Sequence, residues 1–148
     1  MVTLREIDQE NLEAVLALQV APGQERYVST TAVSLAQAQE SRETAWPFAV
    51  YADDVPVGFL MFGFYEKKNY YTLWKFLIDR KFQHKGYGRA ALKIGIEWMK
   101  EKFSITELYT GCILGNEAAK HLYLSLGFEE TGVVEDGMEE LKMAMIYR

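Results

Sequence analysis

The chain is poor in the features that would tie it to a disulfide scaffold, a membrane or a nucleic acid. One cysteine, Cys112, stands among 148 residues. That rules out an intrachain disulfide and any cysteine-rich zinc site. No apolar run approaches 18 residues and no signal-peptide pattern opens the chain, so the expectation is a soluble cytoplasmic protein with no membrane partner. Positive charge is not in surplus: the net charge of −5 argues against nucleic-acid binding, which leans on clustered cations. His84 and His121 lack metal-ligand spacing to each other or to carboxylates, and no metal is expected. Repeats, low-complexity tracts and linker-like composition shifts are also missing, so one domain over residues 1–148 is predicted. A chain of this length buries roughly 68–70% of its unfolded surface and needs no covalent staple.

What charge there is has been sorted. From Arg80 to Lys102 there are seven Lys or Arg against two Glu, whereas Glu129 to Glu140 holds six acids and no Lys or Arg. One region suits phosphates and the other a cation.

Periodicity predicts the order α, α, β-hairpin, β, α, β, α, β, β. Asp8 is a candidate cap for a first helix carrying Leu12, Val15, Leu16 and Gln19, and a second short helix falls within Ser34–Arg42. Pro47 opens a hairpin of Phe48–Tyr51 and Val57–Phe64 around Asp53-Asp54. In the strand Tyr70–Asp79, a period of two sets Trp74, Phe76 and Ile78 on one face and Leu73, Lys75 and Leu77 on the other. The next helix is the best defined, with Gly88, Ala91, Leu92, Gly95, Ile96 and Met99 in one stripe. Gly95 inside it costs about 1 kcal/mol relative to Ala, which implies close approach to a strand. A strand at Glu107–Leu114 leads to Asn116 as a cap, a helix bearing Ala119, Leu122, Tyr123 and Leu126, and Gly127 as its stop. Phe128–Val133 and Leu141–Ile146 close the chain as two strands joined by an acidic turn. Cys112 alternates inward with Leu108 and Thr110, and Trp98 and Met99 read as core.

The segment Gln83-His84-Lys85-Gly86-Tyr87-Gly88-Arg89 joins a strand to a helix through two glycines and several cationic side chains. Such a turn lets backbone N–H groups approach an oxyanion, and the helix start adds its dipole and unpaired donors. A phosphorylated ligand is the natural occupant. Gly86 to Ala91 also fits G-x-G-x-x-A, but a dinucleotide site needs a tight strand-to-glycine turn and an acid closing the next strand. Here seven residues separate Ile78 from Gly86, and Glu107 opens its strand. The P-loop pattern is absent.

Gln83-x-x-Gly86-x-Gly88 followed by Asn116-x-x-Ala119-x-x-Leu122-Tyr123-x-x-x-Gly127-Phe128 resembles the GNAT superfamily of acyl-CoA-dependent N-acetyltransferases over about residues 48–146. The resemblance implies an α/β (α+β) fold with a mixed, mostly antiparallel sheet splayed at its middle strands and flanked by about four helices. It implies acetyl-CoA as co-substrate, with Gln83, Lys85, Gly86, Tyr87, Gly88 and Arg89 around the pyrophosphate. Phe76, Leu77, Ile78 and Asn116 would meet the pantetheine arm, Tyr123 would be the general acid, and a homodimer is the family expectation. Residues 73–88 and the stretch Gln24–Val28 are further similar to the bacterial diamine and polyamine (spermine/spermidine) branch.

Acetyl transfer needs a neutral amine, yet an alkylammonium with a pKa near 10.4 resists deprotonation at pH 7 by roughly 4.6 kcal/mol. A proton acceptor is therefore required, and a tyrosine hydroxyl suits the departing thiolate. Glu25, Glu43, Glu66 and Glu140 are carboxylates within possible reach of an acceptor, and Tyr27 and Trp74 offer aromatic faces to a cation. The alternative is a binder of acyl-CoA that acts as a sensor or interaction module without turnover.

Overall fold

A computed structural model describes residues 1–147. Its elements are β1 Val2–Glu6, α1 Leu12–Leu16, a one-turn 3-10 helix Glu25–Tyr27, α2 Thr31–Glu40, β2 Ala45–Ala52, β3 Val55–Tyr65 and β4 Tyr70–Ile78. After these come α3 Tyr87–Phe103, β5 Glu107–Ile113, α4 Glu117–Leu126, β6 Glu129–Glu135 and β7 Met138–Ala144. The strands form one sheet in the order β1-β2-β3-β4-β5-β7-β6. Neighbours run antiparallel except for β4 and β5, whose parallel register holds only at Thr72↔Tyr109 and Leu73↔Thr110. Beyond Leu73 the two strands part.

Both faces of the sheet are covered. On one, Ala91, Leu92, Ile96 and Met99 of α3 and Tyr123 of α4 pack with Val50, Leu60, Phe62, Leu108 and Leu141. On the other, Val15 of α1 and Ala38 of α2 meet Ala49, Phe59, Met61 and Leu77. Strands buried on both faces read as continuous apolar runs, and β3, Val55–Tyr65, is such a run. No helix among the described residues is long and apolar enough to cross a membrane.

The stripe assigned to α3 is the buried one, and Gly95 is a close approach: a Cβ there would sit 2.8 Å from the Phe62 ring. Several details differ from expectation. β1 was not foreseen; it is short, half exposed, and made into a strand by pairing with β2 from Val2↔Ala52 to Glu6↔Phe48. Asp8 does not cap α1: its Oδ1 accepts from the N–H groups of Glu10 and Asn11 in a turn, and the helix covers only Leu12–Leu16. Gln19 lies outside it because its N–H and C=O are drawn to the segment after β4. Pro47 sits within β2 rather than opening it, and α2 starts earlier, at Thr31, where Thr30 Oγ1 accepts from the Val33 N–H.

A further difference concerns β4. Its register with β3 shifts so that Met61 faces Lys75 while Phe62 faces Leu73, leaving Trp74 as the extra residue of a bulge. The bulge advances the side-chain phase by one. Leu73, Phe76 and Ile78 therefore share the α3 side, Leu77 lies opposite, and Trp74 is left half exposed.

Candidate active site

The turn between β4 and α3 is held in a conformation few side chains adopt. His84 and Gly86 both have positive φ, 64° and 82°, and the chain then enters a 17-residue helix whose start has no side-chain cap. The first N–H groups of α3 are thus left for an external acceptor, with the helix dipole behind them. A Cβ at Gly86 would meet nothing within 4 Å, so the backbone angle alone calls for glycine there. Gly88 is needed for another reason: its Cβ would lie 2.9 Å from Cζ of Phe76, so glycine lets α3 seat on β4.

The side chains of this turn divide. Lys85 is exposed. Arg89 donates to Oγ and the main-chain O of Ser125, fastening α3 to α4, and Gln83 donates to the Ile78 carbonyl and to Oε1 of Gln24, both at 2.9 Å. The Gln83 and Arg89 side chains are therefore engaged within the protein.

Where β4 and β5 part, a cleft of about 680 Å³ opens, bordered by Phe76, Leu77, Ile78, the Gly86–Arg89 turn, Cys112, Asn116 and Tyr123. From Trp74 to Ile78, β4 has β3 along one edge and this cleft along the other. An oxyanion-bearing head at the turn and a thin extended arm along β4 suit this shape, which is the form of coenzyme A.

Tyr123 is carried on α4. Asn116 starts that helix by accepting the Ala119 N–H on its side chain, and Gly127 ends it at φ 111°. The Tyr123 ring packs edge-on against Phe128, with 5.8 Å between centroids, and only 7% of the residue is exposed. Burial pushes its phenol well above the usual tyrosine range, Cys112 adds to the rise, and the Thr110 side chain opposes it. The hydroxyl therefore keeps its proton at every physiological pH. Cys112 lines the same cleft as a buried thiol whose pKa is also raised, first by burial and then by Glu139, which makes it a poor nucleophile.

A second cavity, about 500 Å³, lies beside the first and shares Leu73, Trp74, Thr110, Gly111 and Met138 with it. Glu66, Glu135, Asp136, Glu139 and Glu140 line it together with Tyr65 and Tyr70. Lys68 holds its ammonium 3.1 Å from Glu140 and 3.3 Å from Glu135. Tyr70 donates to Glu140 at 3.2 Å, Thr131 does so at 2.9 Å, and the Tyr70 ring stacks on Tyr109 at 3.8 Å. Burial would raise the Glu140 carboxyl, but the bonds from Lys68, Thr131 and Tyr70 outweigh it and leave it below the usual value. The Tyr70 phenol is pushed up to about 12 by burial and the Glu140 charge.

Of the acceptor-side residues expected from sequence, Tyr27 borders the cleft and Trp74 stands where the two cavities meet. Glu25 and Glu43 border neither; Glu25 instead accepts the Gly23 N–H at 2.8 Å. Glu66 and Glu140 do line the second cavity. Lys68, Tyr70 and Glu139 were not anticipated; the acid-rich stretch from Glu129 to Glu140 was the signal pointing to Glu139, and nothing in the sequence pointed to Lys68 or Tyr70.

Residues 6–128 match the family described as Acetyltransferase (GNAT) family. The chain is 28% identical over 146 residues to the spermine/spermidine N(1)-acetyltransferase of Bacillus subtilis (strain 168), with 95% of each chain covered. Among solved structures, it is similar to the spermidine N-acetyltransferase from Vibrio cholerae in complex with CoA and spermine, at a TM-score of 0.78 and 17% identity over 97% of this chain and 95% of that one. It is likewise similar to PaiA N-acetyltransferase from Thermoplasma acidophilum in complex with coenzyme A, at a TM-score of 0.75 and 16% identity over 98% and 99% of the two chains. These structural likenesses establish a shared fold.

Proposed function

The chain belongs to the GNAT acetyltransferase family and is an acetyl-CoA-dependent N-acetyltransferase, and we propose that its acceptor is a linear polyamine of the spermine and spermidine class. The observation that carries this reading is the acidic, aromatic groove that opens onto the cleft at Trp74 and Thr110. Its carboxylates already hold one ammonium, that of Lys68, between Glu135 and Glu140. The 28% identical relative named for spermine and spermidine points the same way.

A polyamine resolves a conflict that a monoamine does not. Carboxylates attract an ammonium but also favour its charged form, so a nitrogen bound among them is harder to deprotonate. An acceptor with several nitrogens keeps one charged in the groove while another reaches the less polar junction beside Leu73, Trp74 and Met138. There the loss of its proton is favoured by desolvation. Bound acetyl-CoA supplies the thioester acetyl group. The main chain of residues 86–89, with Lys85, takes the diphosphate, and the free edge of β4 from Phe76 to Ile78 takes the arm, with Asn116 on the far wall. Tyr123, kept protonated by burial, gives its proton to the departing sulfur.

Thiol release from acetyl-CoA against spermine, spermidine, putrescine, n-butylamine and a lysine peptide tests the reading. Spermine or spermidine should give the highest kcat/KM. Glu140→Gln should raise the KM for spermidine about tenfold or more and leave that for butylamine within twofold, as expected for one lost charge-assisted bond. A butylamine rate equal to that of spermidine would overturn it.

A further inference from the structure

The segment from Gln19 to Ser29 runs as a strap along the cleft and is tied to both of its sides. At the β4 side, Asp79, a buried carboxylate, accepts the N–H of Gln19 at 2.9 Å on one oxygen and that of Lys81 at 3.0 Å on the other, while the Arg80 N–H donates to the Gln19 carbonyl at 2.7 Å. At the far side, the Tyr27 hydroxyl donates to the Gly115 carbonyl at 3.2 Å, in the turn before α4. Between these ends, Gln24 faces Gln83. The Gln83 amide gives one N–H to the Ile78 carbonyl and one to Oε1 of Gln24, both at 2.9 Å, and the same Gln24 oxygen accepts the Ala21 N–H at 3.2 Å. A glutamine amide has two N–H donors, so both of those of Gln83 are spent.

We infer that Gln83 is a positioning residue and not a phosphate ligand through its side chain: with Gln24 it ties the strap that borders the cleft to the turn that holds the coenzyme. Tyr27 and Val28, which border the cleft, are thereby held in register with Gly86 and Gly88, although they lie about sixty residues away in sequence. The tie acts at the last carbonyl of β4, where the strand stops and the cradle begins. This rests on the reading of the cleft as the acetyl-transfer site and not on which amine is used.

Hydrogen exchange of the full chain, read by mass spectrometry over residues 19–27, tests the tie directly. Gln24→Leu and Gln83→Leu should each speed exchange there about tenfold, Gln24→Leu somewhat more because it also frees the Ala21 N–H, and the double variant should go no further than Gln24→Leu, because both single changes remove the same Gln24–Gln83 contact. Gln24→Glu keeps the oxygen that accepts from Gln83 but loses the weaker donation of Gln24 Nε2 to Gln83 Oε1 at 3.4 Å, so its exchange should fall between those of the parent chain and Gln24→Leu. CoA affinity by calorimetry and the KM for acetyl-CoA should stay within threefold in all of them. Unchanged strap exchange in Gln83→Leu, or a loss of CoA affinity beyond tenfold in Gln83→Leu but not in Gln24→Leu, would overturn the inference. If Gln83→Leu fails to fold, Gln24→Leu and Gln24→Glu carry the same comparison. If CoA fails to bind the parent chain, the reading of the cleft falls while the exchange data still decide the tie.

Discussion

At the scale of one residue, the proposed chemistry falls on Tyr123. Its position seven residues after Asn116 is set by the helix that Asn116 starts, but its acidity is set by burial against Phe128 and below the sheet. Removing the hydroxyl while keeping the ring tests the role: Tyr123→Phe should lower kcat by roughly 10²–10⁴-fold, the range for a positioned proton donor, and leave the CoA dissociation constant near that of the parent. Full turnover in the variant would dismiss Tyr123 as the acid. The pH dependence has a definite sign. The folded-state pKa of Tyr123 lies above its unfolded value near 10, so the folded state holds the proton more tightly. Stability is unaffected by this group below pH 10 and falls as pH rises from there toward the folded value. Activity should accordingly show no loss attributable to Tyr123 below pH 10, where release of the amine proton is instead still raising it.

Among elements, α3 is the most legible and also the most tightly constrained. A glycine in the middle of a helix costs about 1 kcal/mol relative to alanine, so Gly95→Ala would stabilise an isolated helix. Here the added methyl would lie 2.8 Å from the ring of Phe62, which is fully buried and has nowhere to go. Overpacking of this kind costs about 1–3 kcal/mol. With a buried ring in the way the cost lies at the upper end, about 2–3 kcal/mol, so the net loss is about 1–2 kcal/mol and Gly95→Ala should lower Tm by about 2–8 °C in calorimetry, at 2–4 °C per kcal/mol for a chain of this size. A raised Tm would mean that α3 can lift off the sheet. β4 teaches the opposite lesson. Its residues promise a strand, but the bulge at Trp74 depends on how β3 pairs with it, and a strict period of two therefore misplaces Leu73. β1 fails for a related reason: five residues with two exposed charges become a strand only because β2 offers them an edge.

Across the whole molecule, charge is arranged in two regions that meet at the opening of the sheet. The basic stretch around α3 lies by the turn proposed for the diphosphate, and the acidic stretch of β6 and β7 lines the groove beside it. Since the groove is open to solvent and the net charge is −5, attraction for a polycation should weaken as the screening length shrinks from about 10 Å at 0.1 M salt to about 3 Å at 1 M. The KM for spermidine should therefore rise several-fold between 0.05 and 0.5 M salt, with far less change for butylamine. A salt-independent KM would remove the groove from acceptor binding. The sequence alone determined what neighbouring residues settle between themselves: the glycine turn and uncapped start of α3, its buried stripe, the Asn116 cap and the Gly127 stop. These depend on backbone angles and on spacings of three and four. Only the tertiary structure decided that Gln83 is spent on Gln24, that Glu25 turns to its own loop, and that Lys68 reaches Glu135 and Glu140. Those contacts join segments whose separation along the chain carries no record of their meeting, and they exist because the sheet brings the segments within hydrogen-bonding distance.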